Sequence, residues 1–186
     1  MWEPTWYEAY ARLVSFHHVN ARRNVDRQLF VDDLDRRRFL ETLQTTIERH
    51  GWLCHSYCLM SNHYHLLIET PDENLAAGML LLNGTYARYF NWRHAHVGHV
   101  FQGPYHDEPV IEDDHLLEAS RYIVLNPVRA GLVTKPFDWA WSSYRATAGL
   151  GPRPPFLSVD LIRGLSGSPR EFAEFCNQVA EQPGCK

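Results

Sequence analysis

The sequence predicts an α+β domain in which an antiparallel sheet carries helices on one face. The first observation is the order of hydrophobic patterns, β-α-β-β-α-β followed by a further helix. The second is size: 186 residues, of which 45% are hydrophobic, suffice for a sizeable core. The third is that no apolar run approaches the roughly 18 residues of a membrane span. Because Glu3 and Glu8 also make the start unlike a secretion signal, we expect a cytoplasmic protein.

The first strand and the first helix are predicted from composition and capping signals. Residues 12–20 are rich in β-forming side chains. Asp32 or Asp33 is expected to cap the helix, and Gly51 to end it after His50. The apolar positions at helical spacing are Leu34, Phe39 or Leu40, Leu43 and Ile47.

A β-hairpin and a second helix follow. Residues 52–60 and 63–70 are predicted strands, joined by a tight Ser-Asn turn at 61–62 and closed by Pro71. The second helix is expected to begin near Asp72, because apolar residues then recur on one helical face. They are Leu75, Met79, Leu82, Tyr86 and Tyr89.

The last predicted elements complete the fold class. Residues 94–104 are expected to form a glycine-containing loop, and residues 105–111 a final strand. Aspartates at 113–114 cap a third helix that should run to about Asn126, before Pro127. The element order is that of a ferredoxin-like split βαβ domain with an added helix, which leaves one sheet face free to carry a site.

The composition changes after Gly149, where GLGPRPPF begins a proline-rich stretch. We therefore predict a catalytic domain over residues 1–150, followed by a proline-rich connector and helical tail over residues 151–186. The tail helix is expected near 169–181. The connector suggests that this tail is separable, so that a chain ending near Leu150 would still fold and act.

Charge and cysteine content limit the classes of function. A net charge of −4 argues against a nucleic-acid binder that depends on bulk attraction, although arginines cluster at 22–27 and 88–93. Such a protein would depend on shape, stacking and a few placed cations. The four cysteines form no CxxC pair and are interpreted as reduced, structural thiols.

A pair of histidines is the first candidate site. Side chains alternate along a strand, so His63 and His65 share one face while Tyr64 lies on the other. Two imidazoles one pleat apart can both reach one metal ion. Taken alone, however, two alternating histidines are more often structural or surface residues than metal ligands.

The predicted third helix carries the second candidate. Glu118, Tyr122 and Asn126 are spaced by four residues and form one stripe, whereas Leu116 and Ile123 belong to the buried side. A tyrosine with an amide one turn later suits a phenolic nucleophile beside a metal, because the amide oxygen is a neutral ligand and the ion withdraws charge from a phosphate under attack. A core tyrosine with a solvated hydroxyl and an ordinary helix-ending asparagine are the alternative interpretations.

Together these segments resemble a known family. SNHYHLL at 61–67, RYIVLNPVRAGLV at 121–133 and WAWSSYRA at 139–146 are similar to the HUH single-tyrosine transposases, and most to the REP-associated tyrosine transposases. The resemblance covers roughly residues 10–147, and its motifs fall in the family's order on the expected elements.

The resemblance implies specific roles. His63 and His65 match the family's metal-binding pair, Asn126 the third metal ligand, and Tyr122 the nucleophile that forms a 5′-phosphotyrosine with DNA. The implied cofactor is a divalent metal, Mg²⁺ or Mn²⁺. The implied partner is single-stranded or hairpin DNA, and the domesticated branch of the family favours a monomer over a homodimer.

Four further residues are candidates for DNA contacts. Arg22 and Arg23 follow the first strand and are suited to phosphate, whereas Gln102 and His106 lie on the loop and strand leading to the third helix. Each also has a plain interpretation as a solvated surface residue.

Two other functions stay open at this point. The same fold class includes RRM-like modules that bind single-stranded nucleic acid without catalysis, although no RNP-like aromatic cluster occupies residues 63–70. A metal nuclease that activates water, with Tyr122 only structural, is the other. A covalent protein–DNA adduct distinguishes the transposase from both.

Overall fold

An antiparallel four-stranded sheet organises the protein, in the order β2-β3-β1-β4. The computed structural model describes residues 15–23, 27–111 and 113–180. The strands are β1 (Ser15–Arg22), β2 (Leu53–Leu59), β3 (His63–Thr70) and β4 (His106–Val110). The predicted α+β, ferredoxin-like class is confirmed, while residues 12–14 of the predicted first strand lie outside the described residues.

Six α-helices occur among the described residues, none long and apolar enough to cross a membrane. They are α1 (Asp33–His50), α2 (Leu75–Arg93), α3 (Asp113–Arg129), α4 (Tyr144–Thr147), α5 (Asp160–Ser166) and α6 (Pro169–Ala180). The predicted caps of α1 are confirmed: the Asp32 side chain accepts from the backbone N–H groups of Leu34 and Asp35, and Gly51 adopts a φ of 68°.

Helices α1 and α2 pack on one face of the sheet. Phe39 of α1 lies 4.6 Å from the Tyr64 ring, and the Tyr64 hydroxyl donates to Asn83 Oδ1 of α2 at 2.6 Å. Position 78 requires a glycine, because a Cβ there would lie 2.0 Å from the indole of Trp52. Helix α2 begins at Leu75, three residues after the predicted start. Because Tyr64 packs against these helices, its neighbours His63 and His65 on β3 are directed to the opposite face of the sheet.

Helix α3 packs against the opposite face. Its Ile123 and Val124 join Leu67 and Cys58 of the sheet in a second hydrophobic cluster. The prediction that α3 ends at Asn126 is wrong, because the helix includes Pro127 and continues to Arg129. Pro127 donates no N–H to the helix, but the residues after it stay helical, and the Ala130 N–H donates to the Asn126 carbonyl at 2.9 Å.

The C-terminal tail belongs to this second cluster. Ile162 of α5 and Phe172 and Cys176 of α6 are fully buried against α3. The connector also hydrogen-bonds to the sheet edge, where the Ser158 N–H donates to the Cys54 carbonyl at 2.8 Å. These contacts argue against the expectation that the tail is separable, because removing it would expose the side of α3 that faces the core.

Cysteine placement agrees with a structural role. Among the described residues Cys54, Cys58 and Cys176 are free and buried, and burial raises the pKa of the Cys54 and Cys176 thiols to about 12. A thiol with so high a pKa carries almost no thiolate at neutral pH and is a poor nucleophile. Cys185 lies outside the described residues.

We therefore predict that a chain ending at Leu150 loses soluble expression or cooperative unfolding. In the full chain, Phe172→Ala should lower the free energy of unfolding by about 3–5 kcal/mol, as for other buried phenylalanines. Phe137→Ala is the matched control, because Phe137 is half exposed, and it should cost far less. Chemical denaturation measures both. A chain ending at Leu150 that unfolds with the full-length free energy would contradict this packing argument.

Candidate active site

The histidine pair lies on the sheet face that α3 covers. His63 and His65 alternate with the buried Tyr64 on β3, and their ring centroids are 5.0 Å apart. The antiparallel register places Arg22 opposite His63 and Asn20 opposite His65 on β1. The predicted shared face of the two imidazoles is thus present in the structure.

Each imidazole uses its Nδ1 and leaves its Nε2 without a hydrogen-bond partner among the described residues. His63 Nδ1 lies 2.7 Å from Asn62 Oδ1, and His65 Nδ1 lies 3.0 Å from Nε2 of His18. Burial lowers the pKa of His65 to about 3, and burial followed by the charge of Arg22 lowers the pKa of His63. Both rings are therefore neutral at pH 7, which is the form that binds metal.

Tyr122 of α3 lies against this histidine group. Its side chain is 39% exposed, and its ring meets His65 and His18 edge-on at centroid distances of 5.8 and 5.7 Å. The guanidinium of Arg129 lies 4.8 Å from the centre of the same ring. An accessible phenol thus contacts both imidazoles and a guanidinium.

Asn126 lies one helical turn after Tyr122. Its Nδ2 donates to the Tyr122 carbonyl at 2.9 Å, so the amide oxygen Oδ1 is directed away from that bond. Oδ1 accepts no hydrogen bond from the described residues and has the lone pairs of a neutral metal ligand.

A cavity of about 620 Å³ lies between His65 and Tyr122, while His63 and Asn126 are not among its lining residues. The sheet contributes His18, His65 and Glu108, and α3 contributes Tyr122 and Arg129. This volume lies within the range of roughly 300–1,000 Å³ for small-ligand sites, enough for a nucleotide unit. The cavity therefore brings the Tyr122 phenol, the imidazoles of His65 and His18 and the Arg129 guanidinium together in a space open to solvent.

The family is decided by a family model described as "Transposase IS200 like", which matches residues 11–126. This chain belongs to the IS200-like transposase family. The resemblance to single-tyrosine transposases is thereby confirmed, and with it the fold expected of them.

Two relatives agree with this assignment. A Haemophilus influenzae protein assigned by name to the REP-associated tyrosine transposases is 25% identical over 117 residues, or 57% of this chain and 66% of that protein. The chain thus spans just under two thirds of that relative. A solved structure of a REP-associated tyrosine transposase bound to a REP hairpin superposes with a TM-score of 0.62 at 16% identity, covering 80% of this chain and 86% of that one. At that identity the superposition shows a shared fold.

The donor set of the candidate site fits a divalent ion in part. No cluster of three or more His, Cys, Asp or Glu side chains suited to metal binding occurs in the part of the chain that the structure describes. His63 and His65 nevertheless offer two free Nε2 atoms, and Asn126 offers a neutral oxygen. Two imidazoles and one amide would leave coordination positions open for a phosphate, as a catalytic metal requires.

The predicted DNA contacts differ in their environments. Arg22 is exposed at the end of β1 beside His63, and its carbonyl accepts from the backbone N–H of the exposed Gln102 at 2.9 Å. His106 is exposed on β4, opposite Asn20 and hence on the face of His65. Arg22 and His106 thus lie beside site residues in the strand register, whereas Gln102 lines a separate cavity with Asn83 and Ala87 of α2. Contact of all three with DNA stays a prediction.

Arg23 is already engaged within the protein. It is 7% exposed, its guanidinium lies 4.5 Å from the centre of the Phe90 ring, and it donates to the Gln28 carbonyl at 2.9 Å. A phosphate contact by Arg23 would require breaking these interactions, so Arg22 is the stronger of the two candidates.

The sequence interpretation missed His18 and Arg129. Strand alternation would have placed His18 on the face of His65 had the register of β1 been known. Arg129 follows Tyr122 by two helical turns and so lies on the same helix face. This spacing has no meaning if the helix ends before Pro127, as the sequence predicted. Both residues contact Tyr122.

Proposed function

We propose that this transposase-family protein cleaves and rejoins single-stranded DNA by transesterification. The observation that carries the proposal is the accessible Tyr122 ring, edge-on to His65 in a cavity that Arg129 also lines. The Tyr122 oxygen attacks a phosphodiester phosphorus while the bond to the 3′ oxygen breaks. The phenolic proton leaves to solvent, and the 3′ oxygen is released as a hydroxyl.

The product is DNA joined to Tyr122 through its 5′-phosphate. Because one phosphodiester bond replaces another, the energy of the broken bond is retained and no nucleotide hydrolysis is required. Rejoining is the same step in reverse: a 3′-hydroxyl attacks the phosphotyrosine, and the Tyr122 oxygen takes up a proton and leaves.

Three side chains would hold a divalent ion, Mg²⁺ or Mn²⁺, in this proposal. They are His63 and His65 through Nε2 and Asn126 through Oδ1. Imidazole ligands favour Mn²⁺ over Mg²⁺. When bound, the ion would withdraw charge from the phosphate under attack.

Two arginines near the candidate site support phosphate binding. Arg129 lies over the Tyr122 ring, and Arg22 lies beside His63 at the exposed end of β1. A guanidinium presents paired N–H donors that match phosphate oxygens. Such placed cations would compensate for a net charge of −4, which gives little bulk attraction to DNA.

In this proposal the site is formed within one chain. The Tyr122 and His65 rings come from the same molecule at a centroid distance of 5.8 Å, so no second copy is needed to bring nucleophile and ligand together. This supports the proposal of a monomer that acts in cis, over a homodimer that exchanges its tyrosine helix.

We predict that binding favours single-stranded or hairpin DNA over a blunt duplex of the same sequence. Unpaired nucleotides can enter the cavity, where their phosphates would meet the arginine side chains. The bases of a duplex are stacked and paired, so they cannot enter in this way. Fluorescence anisotropy with labelled oligonucleotides of equal length measures the preference. Affinity should fall with salt, by roughly 0.7 log units per log unit of salt for each phosphate neutralised. Equal affinity for the duplex would contradict this prediction.

The experiment that tests the function uses hairpin DNA from the flanks of the protein's own gene, labelled at either end, with and without Mn²⁺. Transesterification predicts a cleaved strand and a DNA–protein adduct that survives denaturing electrophoresis. A water-activating nuclease would cleave without an adduct, and a binding module would shift the DNA without cleaving it. Either result would overturn the proposal.

A further inference from the structure

His18 is buried beside the proposed metal ligands and has no role in the family resemblance. It lies on β1 with 8% of its surface exposed, and its Nε2 is 3.0 Å from Nδ1 of His65. The two rings are 5.2 Å apart and tilted by 33°. Because its Nε2 is directed at His65, His18 is not itself arranged as a third ligand.

The hydrogen bond between the two rings has two possible directions. A neutral imidazole carries one N–H, so one of the two facing nitrogens donates and the other accepts. If His65 donates from Nδ1, its Nε2 keeps a lone pair for a metal ion. If His18 donates from Nε2, the His65 proton must lie on Nε2 and blocks that position.

Glu108 favours the first direction. Its carboxylate lies 3.8 Å from Nδ1 of His18 and therefore stabilises a proton on that nitrogen. A neutral His18 with its proton on Nδ1 can only accept at Nε2, so His65 must donate. His63 has a parallel arrangement, since its Nδ1 meets Asn62 Oδ1, an atom that can only accept.

We propose that His18 is a positioning residue that holds His65 in the Nδ1–H tautomer and so presents its Nε2 to the divalent ion. The inference rests on the proposed metal-dependent function and adds a residue that the family motif does not contain. Partners of this kind commonly change metal affinity by about 10–100-fold when removed.

The test compares two variants of similar size. His18→Gln retains a side-chain oxygen near the position of Nε2 that can accept from His65, whereas His18→Leu cannot accept. Binding of Mn²⁺ alone is monitored by electron paramagnetic resonance. The dissociation constant should be about 10–100-fold higher for His18→Leu and close to wild type for His18→Gln. His17→Leu is the control, because His17 is on the same strand but pairs with Asp107 at 2.9 Å.

A second readout needs no metal. Nitrogen-15 NMR of the metal-free protein distinguishes the two tautomers of His65. We expect the Nδ1–H tautomer in wild type and in His18→Gln. In His18→Leu we expect that His65 is no longer held in this one tautomer. Circular dichroism verifies that each variant is folded. A wild-type His65 proton on Nε2, or Mn²⁺ affinity of His18→Leu within twofold of wild type, would overturn the inference. Failure of wild type to bind Mn²⁺ would instead overturn the proposed function, and the NMR result would still decide the tautomer.

Discussion

Tyr122→Phe is expected to abolish both DNA cleavage and the covalent adduct while leaving the protein folded. The Tyr122 hydroxyl makes no hydrogen bond with the described residues, and the side chain is 39% exposed, so losing one oxygen should change the free energy of unfolding by less than about 0.5 kcal/mol. Cleavage, in contrast, would lose its proposed nucleophile. We expect the rate to fall by at least roughly 10⁴-fold, as for other enzymes deprived of the attacking atom.

Tyr105→Phe is the matched control for this experiment. Tyr105 packs against the cluster formed by α1 and α2, away from the histidine pair, so its variant should cleave and form the adduct like wild type. Denaturing electrophoresis of reactions with labelled hairpin DNA measures cleavage and adduct together. Comparable nicking by Tyr122→Phe would favour a nuclease that uses activated water.

His63→Ala and His65→Ala are expected to have the second largest effect. Each removes one of the two proposed imidazole ligands, so we expect cleavage at a fixed Mn²⁺ concentration to fall by at least about 100-fold, more than when a residue that only supports a ligand is lost. DNA binding should largely persist, because Arg22 and Arg129 are unchanged. Cleavage rates across a Mn²⁺ titration, together with anisotropy for binding, separate the two effects.

His17→Ala is the control for the histidine variants, because its Nδ1 pairs with Asp107 and does not contact the site. Since His65 is buried, thermal unfolding must confirm that His65→Ala is folded before its activity is interpreted. Wild-type cleavage that persists after thorough chelation with EDTA would rule out the metal role altogether.

Local patterns predicted much of the fold and of the site. The shared face of His63 and His65 follows from the two-residue period of a strand, which does not depend on tertiary contacts. The stripe of Tyr122 and Asn126 follows in the same way from helical spacing. The caps of α1 at Asp32 and Gly51 are also local, and the structure confirms them.

Features that depend on contacts between distant segments were not predictable in this way. The bond from His18 to His65 depends on the register of β1 against β3, which no local pattern encodes. The cation above Tyr122 depends on α3 continuing through Pro127. The burial of Phe172 depends on the tail folding back onto α3, whereas a proline-rich composition at 151–155 suggested separation.

Locating the adduct on the protein decides whether Tyr122 forms the covalent bond with DNA. Wild-type protein is trapped on a hairpin substrate, the DNA is digested to a residual nucleotide, and tryptic peptides are sequenced by mass spectrometry. Cleavage after Arg121 and Arg129 yields peptide 122–129, in which Tyr122 is the sole tyrosine. We expect a nucleotide on that peptide, attached through a phosphotyrosine. A nucleotide on peptide 94–121, whose sole tyrosine is Tyr105, would instead show that Tyr122 is not the nucleophile.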